Sequence, residues 1–295
     1  MKLRQKFNRG LVATFALGLG GAGYYSHELL QRNAEEEVLQ NARIMMVAAS
    51  SIRDYTAGEI RPLLKEKMET EFHPQSVPAY AATTNFETMS KAFPDYTYRE
   101  ATLNPTNMRN RPNQAEDDII KMFRADKEGK VTELVTKRTD VNGNVLLSLS
   151  RKFVATKPCL VCHGKVDDAP KPMLAKYGAA NGFGWMEGEV IGAQIVTVPM
   201  SVPLGRARHV LLLFIGSLAG IFGAIFLVLN LLLHLIVIRP VVKMAGIASA
   251  VSLGNRDAPE YVKPGDDEVA SLSESFNRMR RSMDSALDML EGDGR

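Results

Sequence analysis

Apolar positions along this chain follow three patterns, and each predicts a different kind of element. The first is the unbroken run. One run opens at Gly10 and reaches about Tyr25, behind a segment, Met1 to Arg9, with four basic residues and no acid. Basic-then-apolar order fits a cleaved signal peptide or an uncleaved anchor. At about 16 residues the run is short beside the ~20 of a bilayer-spanning helix, but Tyr24 and Tyr25 suit the membrane interface. The reading is an uncleaved first transmembrane helix over residues 10–29. A second run, Val210 to Leu229, has no charge and only Ser217 as a polar side chain, and continues to Ile238 past Asn230 and His234. It predicts a spanning helix over residues 209–238.

The second pattern is helical. Val38, Ala42, Met45, Ala49 and Ile52 recur at three- and four-residue steps, which predicts a long helix within residues 28–70. Gly58 and Pro62 interrupt it, and a stretch from Leu63 to Glu71 ends near His73-Pro74. Ala115 to Asp126 has the same period. Beyond Pro240, Val241, Met244, Ala248 and Val251 form one stripe. Val269, Leu272, Phe276, Met279, Met283, Ala286 and Leu290 form another, with the alternating steps of a coiled-coil seam.

The third pattern is the strand. Val131 to Thr136 and Asn144 to Phe153 alternate, with an Asn-Gly turn signal inside Asp140–Gly143 between them. Glu189 to Pro199 is a third, β-branched strand. Phe93 to Pro112, rich in Pro, Asn and Arg, reads as a loop or an edge strand with turns. Helices followed by a strand meander define an α+β domain with an antiparallel sheet.

Only two cysteines occur in 295 residues, and they stand together as Cys159-Leu160-Val161-Cys162-His163. C-x-x-C-H is the attachment signature of a c-type haem. Two thiols three residues apart can add to the two vinyl groups of one porphyrin, and His163 then reaches the iron as proximal ligand. A redox disulfide does not need the histidine, and a zinc site wants further Cys or His at short spacing. The motif falls between the second and third strands, on a loop that ends in Gly178, Gly182 and Gly184. Bacterial haem attachment takes place outside the cytoplasm, which orients the chain. Residues 1–9 lie inside, 30–208 form a periplasmic domain, and 239–291 return to the cytoplasm with a tail at 292–295, all on a bacterial inner membrane. The formal charge of +3 is spread along the chain and partly spent on topology, so it is no nucleic-acid signal. No G-x-S-x-G, P-loop or H-E-x-x-H constellation occurs, and no enzyme activity is expected.

Several residues carry a family resemblance. They are Tyr55-Thr56, Ile60-Arg61-Pro62, Asp95-Tyr96-Thr97-Tyr98-Arg99, Leu103-Asn104-Pro105, Asn110-Arg111-Pro112, Cys159 to Gly164 and Gly188 to Gly192. In that order they resemble the haem c-containing PAS-like sensor domain of bacterial membrane receptors, over residues 35 to 200. The resemblance implies a PAS-like fold, one covalent haem and a redox- or gas-sensing role. Members can use a cysteine as distal ligand, and this chain has none to spare. Met45 and Met46, on the long helix, and His73 are the alternatives for that position, with Met108 a further one. The two methionines read equally as core residues, and His73 as a turn histidine. Arg53, Arg61 and Arg99 either neutralise haem propionates or serve the structure.

The C-terminal pair of helical stripes, with Pro240 at the start of one and Glu268 at the start of the other, resembles a HAMP module. That resemblance implies a parallel four-helix bundle built from two chains, hence a homodimer. Gly216 and Gly220 in the second span fit close helix approach. No output domain follows, so the expected role is a sensor that passes its signal to a separate cytoplasmic protein. The alternative is a membrane-anchored monohaem cytochrome serving an electron-transfer partner.

Overall fold

The computed structural model describes residues 3–140, 142–255 and 257–292. Met1, Lys2, Val141, Arg256 and the tail residues 293–295 lie outside the described residues, as does the side chain of the seam position Leu290. The chain divides into two compact units, Tyr25–Leu211 and Met1–Tyr24 with Leu212–Arg295.

The first unit is a mixed structure on a four-stranded antiparallel sheet, β1 (Thr97–Thr102), β2 (Glu133–Thr139), β3 (Val145–Val154) and β4 (Val190–Pro199), in the order β1-β4-β3-β2. Strands 2, 3 and 4 form the expected meander, and the Phe93–Pro112 stretch supplies β1 as an edge strand beside β4. Strand alternation gives the sheet two different faces. Tyr98, Leu147, Leu149, Val196 and Val198 point one way, against Val38, Ala42, Met45, Met46 and Ala49 of α1 (Leu3–Tyr55). Ala82 and Phe86 complete that core. They belong to a helix the apolar pattern does not predict, which follows the one-turn α2 (Arg61–Leu64) and is numbered α3 (Pro78–Ala92). On the opposite face, Ala101, Ala193 and Ile195 meet Ile119, Ile120 and Phe123 of α4 (Gln114–Ala125). A capping box starts α4: the Asn113 carboxamide accepts from the Glu116 N–H, and the Glu116 carboxylate accepts from the Asn113 N–H.

The haem-type motif is where structure and sequence reading differ. It is not on an open loop. After an irregularity at Phe153/Val154 that ends regular β3–β4 pairing, Lys157–His163 forms the short helix α5. Then come α6 (Lys171–Tyr177) and a glycine-rich loop back to β4.

In the second unit, α7 (Ser201–Leu232) and a π-helical segment (Leu233–Ile238) lead into α8 (Arg239–Ser252), and α9 (Glu268–Gly292) follows a connector. Among the described residues, Ser201–Ser252 is the one helix long and apolar enough to cross a membrane, with a mean hydropathy of 2.8. The first apolar run does not reach that measure, because glycine and tyrosine dilute its leucines. Phe15 stacks on Phe222 at 4.6 Å between ring centroids. Within this unit α9 buries Ala270, Ser273 and Asn277, and the Ser273 hydroxyl and the Asn277 amide both donate to the Tyr261 carbonyl.

Candidate functional site

On the α1 side of the sheet, the strands change character along their length. The apolar positions Leu147 and Leu149 give way to Phe153 on the same face of β3, and Tyr98 gives way to Glu100 and Thr102 on β1. Phe153, Glu100 and Thr102 floor a cavity of about 390 Å³. Arg53, Asp54, Ala57 and Arg61 supply one wall, from the end of α1, the π-helical turn (Thr56–Ile60) that follows it and the start of α2. π-Turns of this kind are concentrated at functional positions. Cys159, Cys162, His163 and Trp185 line another part.

α5 is seven residues long, with Thr156 before it and Pro158 in its first turn. Residues three apart share a helix face, so Cys159 and Cys162 both line the cavity, and both are free thiols. Thr156 holds the first: its N–H donates to the Cys159 Sγ at 3.5 Å, and its hydroxyl lies 3.3 Å from the same sulfur. Burial pushes the Cys162 thiol up, while the charge of Arg61 works in the opposite direction.

His163 closes the helix and is held from three sides. Its Nδ1 lies 2.7 Å from the Gly182 carbonyl, to which it donates. The Thr106 hydroxyl is 3.3 Å from the same nitrogen, and the ring stacks on Trp185 with centroids 4.1 Å apart. Burial pulls the His163 pKa below its ordinary value, against the opposing effect of the Gly182 carbonyl. A carbonyl oxygen can only accept, so the proton of this contact sits on Nδ1, and in the neutral ring the Nε2 then carries the lone pair.

The Asn104-Pro105-Thr106 segment makes this possible. The Asn104 carboxamide accepts from the Gly182 N–H at 3.1 Å and its amide reaches the Phe183 carbonyl at 3.4 Å. Gly182 has φ +86°, and a Cβ there would fall 2.0 Å from the Thr106 hydroxyl. Only glycine brings the 182 carbonyl to the histidine.

Buried charge lies beside the site. The Arg53 guanidinium pairs with Glu100 and sits 4.8 Å over the Phe153 ring. Tyr98 donates to the other Glu100 oxygen at 2.7 Å, and Gln194 donates to the Tyr98 hydroxyl at 3.1 Å. Burial opposes the charge of Arg53, but Glu100 outweighs it and raises the pKa. Burial, then the Glu100 charge, raises that of Tyr98.

The structure thus brings Cys159, Cys162 and His163 to one cavity, and joins them to the Asn-Pro segment. Met45 and Met46 are elsewhere, in the core between α1 and the sheet. His73 does not line the cavity either; its N–H donates to the Met68 Sδ at 3.1 Å. Met108 is exposed. Of the three arginines, Arg53 and Arg61 line the cavity. Arg99 instead binds Glu116 at 2.6 Å and the Arg109 and Arg111 carbonyls, tying the loop after β1 to α4. Trp185 and Met68 are site residues that the sequence reading missed. Trp185 had a signal, as the single tryptophan of the chain and set in a glycine-rich loop.

An α+β domain with a ligand-sized cavity, in one chain with an apolar helix and a HAMP helix pair, defines a class: a signal-transducing receptor-type protein. The chain belongs to the Tll0287-like family, which matches residues 31–199, and it carries a HAMP domain over residues 232–285. Among solved structures, the cyanobacterial heme-protein Tll0287 is similar at 15% identity, covering 55% of this chain and 95% of that one, with a TM-score of 0.43. No curated protein matches the chain.

Proposed function

We propose that this protein is a membrane-bound sensor with one covalent c-type haem, held by a periplasmic domain of residues 30–208. Cys159 and Cys162 would hold the haem, each by adding its S–H across one vinyl group so that sulfur bonds one carbon and the proton goes to the other. His163 ligates the iron through Nε2. The haem supplies a one-electron couple and an iron that can bind small ligands.

One observation carries the reading: His163 spends its Nδ1 proton on the Gly182 carbonyl, which is the arrangement that orients a metal-ligating imidazole and fixes its tautomer. The cavity volume falls in the ~300–1,000 Å³ range of cofactor pockets. Among the described residues no three His, Cys, Asp or Glu side chains are grouped as a bare metal ion needs, so the thiols and His163 suit a larger group. Met45 and Met46 act as core residues in this reading, and His73 as a turn residue.

The HAMP domain receives the signal on the cytoplasmic side, as a homodimer, and passes it to a separate cytoplasmic protein. The first apolar run, residues 10–29, is a second anchor in the bilayer. On α9, the seam residue Leu272 is 51% exposed in the single chain, as befits a position covered by a second copy.

The test has two parts. The full chain, made with a cytochrome c maturation system, keeps its haem through acid-organic extraction, and Cys159→Ser or Cys162→Ser shifts the pyridine haemochrome band. Wild-type haem that extracts freely ends the proposal. Cysteines placed at Val269 or Leu272 then cross-link at different rates in the oxidised and reduced protein. Equal rates under every haem state point instead to a membrane-anchored electron carrier.

A further inference from the structure

Three arginines line the cavity, and two already have partners. Arg53 is paired with the buried Glu100. Arg109 binds Glu87 at 3.0 Å and the Thr83 hydroxyl at 3.0 Å, and lies over the Tyr80 ring. Arg61 is different. It is half-buried, and among the described residues its side chain makes no hydrogen bond, ion pair or ring contact, not even with its cavity neighbour Asp54. Its charge nevertheless acts on Cys162. Pro62, next to it in the first turn of α2, fixes the backbone that carries it.

A partly desolvated guanidinium without a counter-charge is an unfavourable arrangement unless an anion arrives. Its planar fork favours a carboxylate, which it can bind through two parallel N–H···O bonds. We propose that Arg61 is the carboxylate-binding cation of this cavity, and that its ligand is a propionate of the haem held at Cys159, Cys162 and His163. The assignment rests on the haem reading above. It also separates the three arginines of the sequence: Arg61 binds the cofactor, Arg53 neutralises Glu100, and Arg99 positions the loop after β1.

The full chain in detergent, loaded with haem, tests it through the midpoint potential at fixed pH. Arg61→Gln removes one positive charge and leaves a propionate uncompensated, which favours ferric iron by roughly threefold. Arg61→Glu changes the charge by two and shifts the balance by roughly tenfold, about 59 mV for one electron. Arg61→Lys keeps the charge and stays near wild type in potential, but its propionate bending mode in resonance Raman spectra moves. Potentials of the Gln and Glu variants equal to wild type overturn the assignment while leaving the haem reading standing. A wild-type potential that follows added acetate also overturns it, because Arg61 then serves a solution anion. A wild-type chain without covalent haem overturns the parent reading and this one with it. Haem staining after denaturing electrophoresis tells that outcome from the others.

Discussion

Met46 allows the cavity and the core to be told apart by experiment. Its side chain is fully buried, at 0% exposure, among Val38, Ala42, Tyr98, Leu147 and Leu149 in the cluster under α1. Met46→Ala removes three side-chain heavy atoms beyond Cβ from a packed site, and such deletions cost about 2–5 kcal/mol, depending on how far the surroundings close in. Met46→Leu keeps the volume and costs under ~1.5 kcal/mol. The two substitutions separate packing from ligation, because leucine restores the first and cannot restore the second. Urea denaturation of the haem-loaded chain, followed by the Soret band, measures the stability. The far-red charge-transfer band of the ferric protein reports iron–thioether ligation. The expected outcome is a large stability loss in the Ala variant, a small one in the Leu variant, and a ferric spectrum like wild type in both. A Leu variant of near-normal stability with an altered far-red band would refute the reasoning and return Met46 to the iron.

Three further outcomes follow from the same geometry. Glu100, with its side chain 1% exposed, is the counter-ion of Arg53, so Glu100→Gln strands a buried guanidinium and costs about 3–5 kcal/mol in urea denaturation; Arg53→Leu/Glu100→Leu together recovers much of that loss. Gly182→Ala forces a Cβ onto Thr106 at positive φ, costs about 1–3 kcal/mol or more, and lowers the fraction of chains that stain for haem. The Asp140 carboxylate is held below its ordinary pKa chiefly by the Asn144 side chain, then by the Asn144 N–H. The stabilisation of the β2–β3 turn is therefore complete above the unfolded value of ~3.9 and lost as pH falls through the lower folded value. Asp140→Ala removes this acid limb from a stability-against-pH curve, and an unchanged limb rules the turn out as its source.

The elements legible in the sequence are those whose signals are local. β2, β3, β4 and α4 lie within a few residues of their expected places because period and turn chemistry sit inside each segment. α3 was illegible for a physical reason: its buried face is Ala82, Thr83 and Phe86, two small or polar residues and one aromatic, too weak an apolar stripe to stand out. α5 is too short for any period. Its signs were Pro158 in the first turn and Gly164 just past the end. The site divides the same way. The two thiols and His163 are recognised by adjacency, whereas the ranking of Arg53, Arg61 and Arg99 depends on partners such as Glu100 and Glu116, 47 and 17 positions away from Arg53 and Arg99. Spacing carries no trace of such pairings.

The chemistry of α9 bears on what the HAMP domain does. Within one chain the helix buries Ala270, Ser273 and Asn277 and leaves Leu272, Met279 and Met283 exposed. It therefore has two unlike sides, one turned toward its own connector and one apolar side left exposed within the chain. The inner side is polar: Ser273 and Asn277 share the Tyr261 carbonyl, and among the described residues the buried Asn277 Oδ1 accepts no hydrogen bond. An unpaired buried oxygen costs about 1–3 kcal/mol against a satisfied or apolar alternative. A static clamp gains nothing from such a residue, and leucine at 277 would hold the helices together better. A two-state bundle does gain, because a packing kept a few kcal/mol short of its best leaves a second packing within reach of a stimulus with similar differential energy. The asparagine thus favours the transmitter over the carrier on grounds independent of the haem.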